Sequence, residues 1–442
     1  MERERFEGGS RMERPNILMV ITHDTGRHLG CYGAGVATPA LDRMADEGVL
    51  FTSAFAYAPQ CSPSRASLLS GLAPHSNGMI GLAHLGFRLR PDVALLPALL
   101  GAAGYQTLLF GLQHETSGDP SALGYQHVMR AEPGRGRGGP NSLDAVVPLV
   151  TAFLSQSPAE PFFAMVGFSE THRPYAHTTA DLREIIPPPF LPEDAIVRQD
   201  IADLNAQVER VDQALDRILA ALREQGLSSR TIVIYTTDHG VAFPGAKATL
   251  LDPGLGIAWL MKGPGIPVGR RMEALIANVD MLPTLCDLAG TPHPAVHGSS
   301  LVPLFREAKD RVHCAIYPEM TFHGSYDPVR AVRTDRFKYI RSYQERPWLF
   351  PANIDASPTK NFFAMRGDFD RSRPRELLFD LQEDPLERYN IAESASREQT
   401  LVEMRMRLDE WMRATGDPLL HGPVPVPEGA RVGSGSRRKP IT

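Results

Sequence analysis

The sequence predicts an α/β protein: a mixed, mostly parallel sheet sandwiched by helices, with a small α+β subdomain at the C-terminal end. Three observations predict it. Residues 17–21 (ILMVI), 161–168 (PFFAMVGF) and 231–236 (TIVIYT) are apolar runs without polar alternation, the pattern of central parallel strands covered on both faces. Helical patterns lie between them, and alternating strands and helices build such sheets. After about residue 310 the long helices give way to short amphipathic strands.

The elements follow in order. Pro15-Asn16 leads into the first strand, and Thr22-His23-Asp24 stands at its end. Thr38 as N-cap and Pro39 in the first turn start a helix with Leu41, Met44 and Ala45 on one face and Gly48 as its stop. The second strand delivers Glu170, Thr171 and His172. Residues 200–224 form the clearest helix, with Ile201, Leu204, Val208, Val211, Leu215, Ile218, Leu219 and Leu222 at helical spacing and Gly226 beyond it. The third strand ends in Thr237-Asp238-His239-Gly240. Polar residues from three strands thus reach the C-terminal edge of the sheet, where open α/β sheets bind ligands. Further on, 330–342 and 376–381 read as strands, and 397–413 as a helix with Leu401, Met404, Leu408 and Trp411 inward. The expected division is a disordered leader over 1–13, a catalytic α/β domain over 14–310, an α+β subdomain over 311–420 and an irregular tail over 421–442.

Composition narrows the function classes. Hydrophobic residues are 43% and charged residues 22% of 442, with a net charge of −5. That is ordinary for a globular chain and gives no drive toward nucleic acid or anionic membrane. The first fourteen residues lack the apolar core of a secretory signal, and Met12 reads as an alternative start. The apolar run 17–21 is too short to span a bilayer. Four cysteines, Cys31, Cys61, Cys286 and Cys314, make no disulfide framework in so long a chain. A cytoplasmic location is therefore expected. The oligomeric state stays open, a homo-oligomer included.

The most informative run is 61–71, Cys-Ser-Pro-Ser-Arg-Ala-Ser-Leu-Leu-Ser-Gly. Pro63 suits a first helical turn and Gly71 a stop, so Cys61 falls at a helix N-terminus, where free N–H groups and the dipole favour an anion. Arg65, one turn on, adds a planar cation suited to a tetrahedral oxyanion. By composition alone, Cys-x-Pro-x-Arg should arise in roughly one chain in a hundred or fewer.

This run resembles the signature of the type I sulfatases, formylglycine-dependent members of the alkaline phosphatase superfamily. The resemblance covers about 16–411 and implies an alkaline-phosphatase-like fold. It implies that a maturation enzyme oxidises Cys61 to formylglycine, whose hydrate attacks sulfur and later expels sulfate. It also implies one divalent metal, Ca²⁺ in the family, held by Asp24, Asp238, His239 and residue 61. His114 in Gly111-Leu112-Gln113-His114 would assist proton removal. His172, in a His-x-Pro segment, would protonate the leaving atom. Lys247 would grip sulfate beside Arg65. Two positions depart from the family pattern. His23 stands where an Asp is usual; a second imidazole would shift the site toward Mn²⁺ or Zn²⁺ if His23 binds, and leave Asp24 alone if it points away. Leu112 replaces a Lys, removing a cation worth about a few kcal/mol beside an oxyanion, with Gln113 as a partial substitute.

Within the family the chain is similar to the N-sulfoglucosamine sulfohydrolases, or sulfamidases. His75, Asn77-Gly78-Met79, Gly81-Leu82, Val211-Asp212-Gln213, Phe243-Pro244-Gly245, Leu378-Phe379-Asp380, Asp384-Pro385 and Asn390 carry that similarity. It implies a small sulfated saccharide such as a glucosamine sulfate as substrate. The alternatives are a phosphonate monoester or phosphodiester hydrolase of the same superfamily, and a non-catalytic binding protein on the same fold.

Overall fold

The computed structural model describes residues 14–131 and 139–433. The expected leader lies outside them, as does the tail beyond 433. The main sheet runs His127–Met129, Gln106–Gly111, Phe162–Gly167, Asn16–Thr22, Thr231–Thr237, Trp259–Lys262, Val49–Phe51, Arg270–Met272. Every neighbouring pair is parallel except where Trp259–Lys262 pairs antiparallel with both its neighbours. The sheet is therefore mixed and mostly parallel, as expected.

Side chains alternate across a strand, so one strand feeds two cores. Leu18 and Val20 of the first strand pack with Val146, Val147 and Val150 of helix Leu143–Ser155 and with Ile201, Leu204 and Val208 of helix Ala195–Glu224. Ile17, Met19 and Ile21 face the other way, onto Leu68 and Leu69 of helix Cys61–Ser70 and Met281, Leu282 and Leu285 of helix Met281–Ala289. All five strand residues are fully buried. Truncating Ile17, Leu18, Met19 or Ile21 to alanine should cost about 2–5 kcal/mol through lost transfer energy and the cavity left behind.

The long helix starts at Ala195, five residues before the expected start at residue 200, because Asp194 accepts a hydrogen bond from Ile196 N at 2.8 Å. Thr38 precedes helix Pro39–Asp46 as expected, but its hydroxyl donates to Asp42 instead of capping. The cap comes from Asp212 of the long helix, whose carboxylate accepts from Ala40 N (3.1 Å) and Leu41 N (2.8 Å). A carboxylate from another element thus meets the positive end of that helix.

A second, antiparallel sheet runs Glu319–Phe322, Tyr326–Arg333, Phe337–Ser342, Glu376–Asp380. One face takes helix Glu398–Thr415 through Leu401, Met404, Leu408 and Met412. Met412, not Trp411, fills the inward position. Trp411 lies half-buried and stacks on Tyr317 with ring centroids 4.4 Å apart. Four residues on from Leu408 lies over the same face; three on lies at its edge. The sheet's other face, with Val329, Ala331, Ile340, Leu377 and Phe379, packs on Phe55, Tyr57, Leu250 and Leu255 of the first part. Residues 422–433 are irregular but fastened: Arg431 N donates to Leu85 O and Gly433 N to Gly324 O. Among the described residues no helix is long and apolar enough to cross a membrane.

Candidate active site

Register sets the site. Ile21 lies opposite Gly167, Thr22 opposite Thr237, and Gly111 opposite Gly167. Four adjacent parallel strands therefore end level, and residues 23–24, 112–114, 168–172 and 238–239 emerge together. The fourth of these strands, Gln106–Gly111, is one the periodicity did not single out. Helix Cys61–Ser70 lies across the opening, wholly buried, and Gly71 at φ 68° ends it in the left-handed conformation. Ser64 Oγ donates to Asp238 O, and Asn278 Nδ2 to Ser64 O at 2.8 Å. Arg65 Nε donates to Asp238 Oδ2 at 3.0 Å. Cys61 is thereby fixed against the strand ends.

Around Cys61 Sγ, His239 Nε2 lies at 3.4 Å and Asp24 Oδ1 at 4.0 Å. His239 Nδ1 donates to Gly240 O at 2.9 Å, and its Nε2 meets Asp24 Oδ1 at 3.1 Å. Asp24 sits at φ 49°, a strained conformation for a residue with a side chain. Its amide donates to Asp238 Oδ1 at 3.0 Å and its Oδ2 meets Lys247 Nζ at 3.0 Å. His23 points inward: Nδ1 lies 3.0 Å from Asp238 Oδ2, and its ring centroid is 4.4 Å from that of His114 and 5.6 Å from that of His172. All nine sequence-predicted site residues converge: His23, Asp24, Cys61, Arg65, His114, His172, Asp238, His239 and Lys247.

The electrostatics divide them. Burial alone would raise both carboxyl groups, but Lys247 and His239 hold Asp24 down at about 2, and His239, His23 and Arg65 hold Asp238 far below the usual range. Burial would likewise raise the Cys61 thiol; Lys247 and His239, with His114 and His172, drive it well below its ordinary value. The two histidines flanking Cys61 move apart. Burial and the neighbouring His23 push His114 down to about 4. The hydrogen bond with Cys61 raises His172 to about 9, against the effect of burial. Near neutral pH one imidazole is free to take a proton and the other holds one to give, the division expected of a base and an acid.

The same residues fit a divalent cation. One ligand atom each from Asp24, Cys61 and His239, and from His23, Asp24 and Asp238, lie within 4.8 Å of one another. Both carboxylates are fully buried. His23 Nε2 has no hydrogen-bond partner, nor do Nη1 and Nη2 of Arg65. Buried polar atoms without partners are rare in native proteins, and these belong to residues that meet the same carboxylate, Asp238. Two carboxylates and two imidazoles suit a transition ion better than an all-oxygen set would.

One expectation fails. Gln113 does not stand in for the missing lysine at 112. Its Oε1 accepts from Glu115 N (2.8 Å) and Thr116 N (2.9 Å), and its Nε2 donates to Thr116 O (2.8 Å), so the amide is held by its own turn. Glu115, Tyr175, His323 and Asp355 also stand at the site without having been foreseen. Asp355 Oδ2 lies 2.9 Å from Lys247 Nζ. No motif marks them; single residues in irregular segments carry no periodic signal.

Residues 15–291 match the sulfatase family model. The chain belongs to the sulfatase family. Residues 246–367 match the model for the C-terminal part of N-sulphoglucosamine sulphohydrolase. The human N-sulphoglucosamine sulphohydrolase is 28% identical, covering 93% of each chain. An ulvan-active sulfatase of Formosa agariphila is 30% identical over 94% of this chain and 83% of its own. Among solved structures, a 2-O GAG sulfatase superposes with a TM-score of 0.73 at 25% identity, covering 92% of this chain and 94% of that one. This sulfatase is thus a sulfuric ester hydrolase with an alkaline-phosphatase-like fold.

Proposed function

We infer that the protein hydrolyses the sulfate ester or sulfamate of a small sulfated saccharide, a glucosamine sulfate being the favoured substrate. The observation that carries this reading is the convergence of Asp24, His114, His239 and Lys247 on a helix-terminal Cys61 in a chain that matches the sulfatase family model. The 246–367 match supports the glucosamine part, since it belongs to a model named for N-sulphoglucosamine hydrolysis.

In this reading Cys61, oxidised to formylglycine by a maturation enzyme, supplies as its hydrate one hydroxyl to attack sulfur and a second whose deprotonation expels sulfate. A divalent ion held by Asp24, Asp238, His239 and His23 would lower the pKa of that hydroxyl and neutralise sulfate oxygens. The two imidazoles favour Mn²⁺ or Zn²⁺ over the family's Ca²⁺. Arg65 and Lys247 orient the anion. His172 gives its proton to the leaving oxygen or nitrogen as the bond to sulfur breaks. His114, kept neutral, withdraws the proton that allows sulfate to depart. Arg173 fixes the His172 segment: its guanidinium grips Asp200 through contacts of 2.7 and 2.9 Å, while His172 Nδ1 donates to Arg173 O at 2.7 Å.

The test is a panel of an aryl sulfate, glucosamine N-sulfate and an aryl phosphonate, offered to the wild type and to Cys61→Ala after co-expression with a maturation enzyme. Sulfate release by the wild type alone is expected, with residue 61 about 18 Da lighter by peptide mapping. Equal activity in both proteins would remove Cys61 as nucleophile, and preference for the phosphonate would move the chain to the phosphorus-cleaving branch.

A further inference from the structure

Two buried polar atoms near Lys247, His323 Nδ1 and Tyr175 Oη, lack hydrogen-bond partners and have no part in the chemistry assigned above, and the carboxylate of Asp355 stands with them. Asp355 follows the turn Pro351–Asn353, and its carboxylate meets Lys247 Nζ at 2.9 Å as an ion pair. Its side chain is 26% exposed, against 0–5% for Asp24, Asp238, His239 and Lys247. Asp355 therefore marks the open side of the site. His323, 6% exposed, sits in the connection between the strands Glu319–Phe322 and Tyr326–Arg333, close enough to Lys247, Asp355 and Cys61 to feel their charges. Tyr175 lies under the Arg173 guanidinium, 4.3 Å from its ring centroid, within reach of the charges of Asp24 and Lys247.

We propose that Asp355, His323 and Tyr175 form the subsite for the leaving group and select a hydroxyl- or amine-bearing sugar over an aryl alcohol; the inference rests on the sulfatase reading above. Lys247 joins the two halves of the site. Its ammonium meets Asp24 Oδ2 at 3.0 Å and Asp355 Oδ2 at 2.9 Å. A substrate whose sulfate touches Lys247 brings its leaving group alongside Asp355. Together these side chains offer a carboxylate, an imidazole nitrogen and a phenol hydroxyl. A saccharide carries O–H or N–H donors that these would satisfy, and an aryl ring carries none. Sites built to hydrogen-bond a substrate donor reject analogues without it, because their own buried groups are then left unpaired. Two of the three residues come from the C-terminal part of the chain, so that part would supply specificity while the main sheet supplies the chemistry.

The experiment compares kcat/KM for glucosamine N-sulfate and 4-nitrophenyl sulfate in the matured wild type, Asp355→Asn, His323→Asn and Tyr175→Phe. The last removes one hydroxyl oxygen and little else, which keeps the test open if the others fold poorly. The ratio of sugar to aryl kcat/KM should fall about 10- to 100-fold in Asp355→Asn, mainly through KM, and by a smaller factor in Tyr175→Phe. An unchanged ratio, with both substrates losing rate together, would mean that Asp355 only braces Lys247 and would overturn the subsite. A wild type that cleaves the aryl sulfate but not the sugar overturns the subsite and leaves the sulfatase reading standing. Cleavage of neither overturns both.

Discussion

Replacing Arg173 with leucine tests how the site is braced. Arg173 is 9% exposed. It makes two charge-assisted bonds to Asp200, donates Nε to Ala242 O at 2.8 Å, and lies against Tyr175 and Phe243 with its guanidinium 4.3 and 4.5 Å from the ring centroids. Leucine keeps the apolar contact and loses everything directional. Asp200, 2% exposed, is left charged with only Thr359 to answer it, through a hydroxyl at 2.6 Å. Breaking a buried pair from one side costs about 3–5 kcal/mol, chiefly from the stranded charge. Neutralising that charge should recover part of the loss, so Arg173→Leu/Asp200→Asn should be more stable than the sum of the single variants by about 1–3 kcal/mol. Urea denaturation followed by tryptophan fluorescence measures all four corners of the cycle. A single-variant cost below about 1 kcal/mol, typical of a surface change, would refute the argument; so would strict additivity.

Three further outcomes follow from the same geometry. A β-carbon at Gly240 would stand 1.8 Å from Pro253 O, so Gly240→Ala should displace the Asp238-His239 strand end and lower kcat/KM by about 10²-fold or more, since shifts of an ångström cost that much; wild-type kinetics would show that the turn yields freely. His297 Nδ1 accepts from Ala73 N at 3.0 Å, and burial, with His75 nearby, lowers it to about 4 from 6.5. The unfolded chain therefore takes up this proton first: the stability is fully present above pH 6.5 and drains as pH falls toward 4. About 2–3 kcal/mol is at stake after allowing for solvent, and His297→Asn, which still accepts from Ala73, should flatten that limb of a stability–pH curve. Chelation should lower the melting temperature, because a divalent ion at one hundred times its dissociation constant stabilises by about 2.7 kcal/mol. His23→Ala should shrink the difference between chelated and metal-supplemented melts, and an unchanged difference would place His23 outside the metal set.

Much of this was legible beforehand because periodicity and strand-end chemistry are local. The runs at 17–21, 161–168 and 231–236 could bury both faces only in a central sheet, and the polar residues after them had to share an edge. The run at 61–71 carried its own helix stop in Gly71. Other features depend on partners far along the chain. The strand Gln106–Gly111 is short and begins with polar residues, so its pairing with Phe162–Gly167 is visible only in register. Thr38 reads as a cap until Asp212 arrives from far along the chain to do the work. Gln113 could replace a lysine on paper, but its own turn claims it. Asp355 and His323 reach the site only because the second sheet folds back over the first.

Cys61 is 4% exposed, and every residue of its helix is buried. An enzyme that must grasp a peptide around this thiol finds no handle on the finished protein. The proposed oxidation is thereby placed in time, on a chain still emerging or not yet closed. If residue 61 is oxidised as proposed, folding and maturation become competitors, and a chain that folds first would seal its cysteine inside an inert copy of the catalyst. The fraction of converted molecules would then report on how long residues 61–71 stayed within reach, and slowing the folding of the surrounding sheet should raise it.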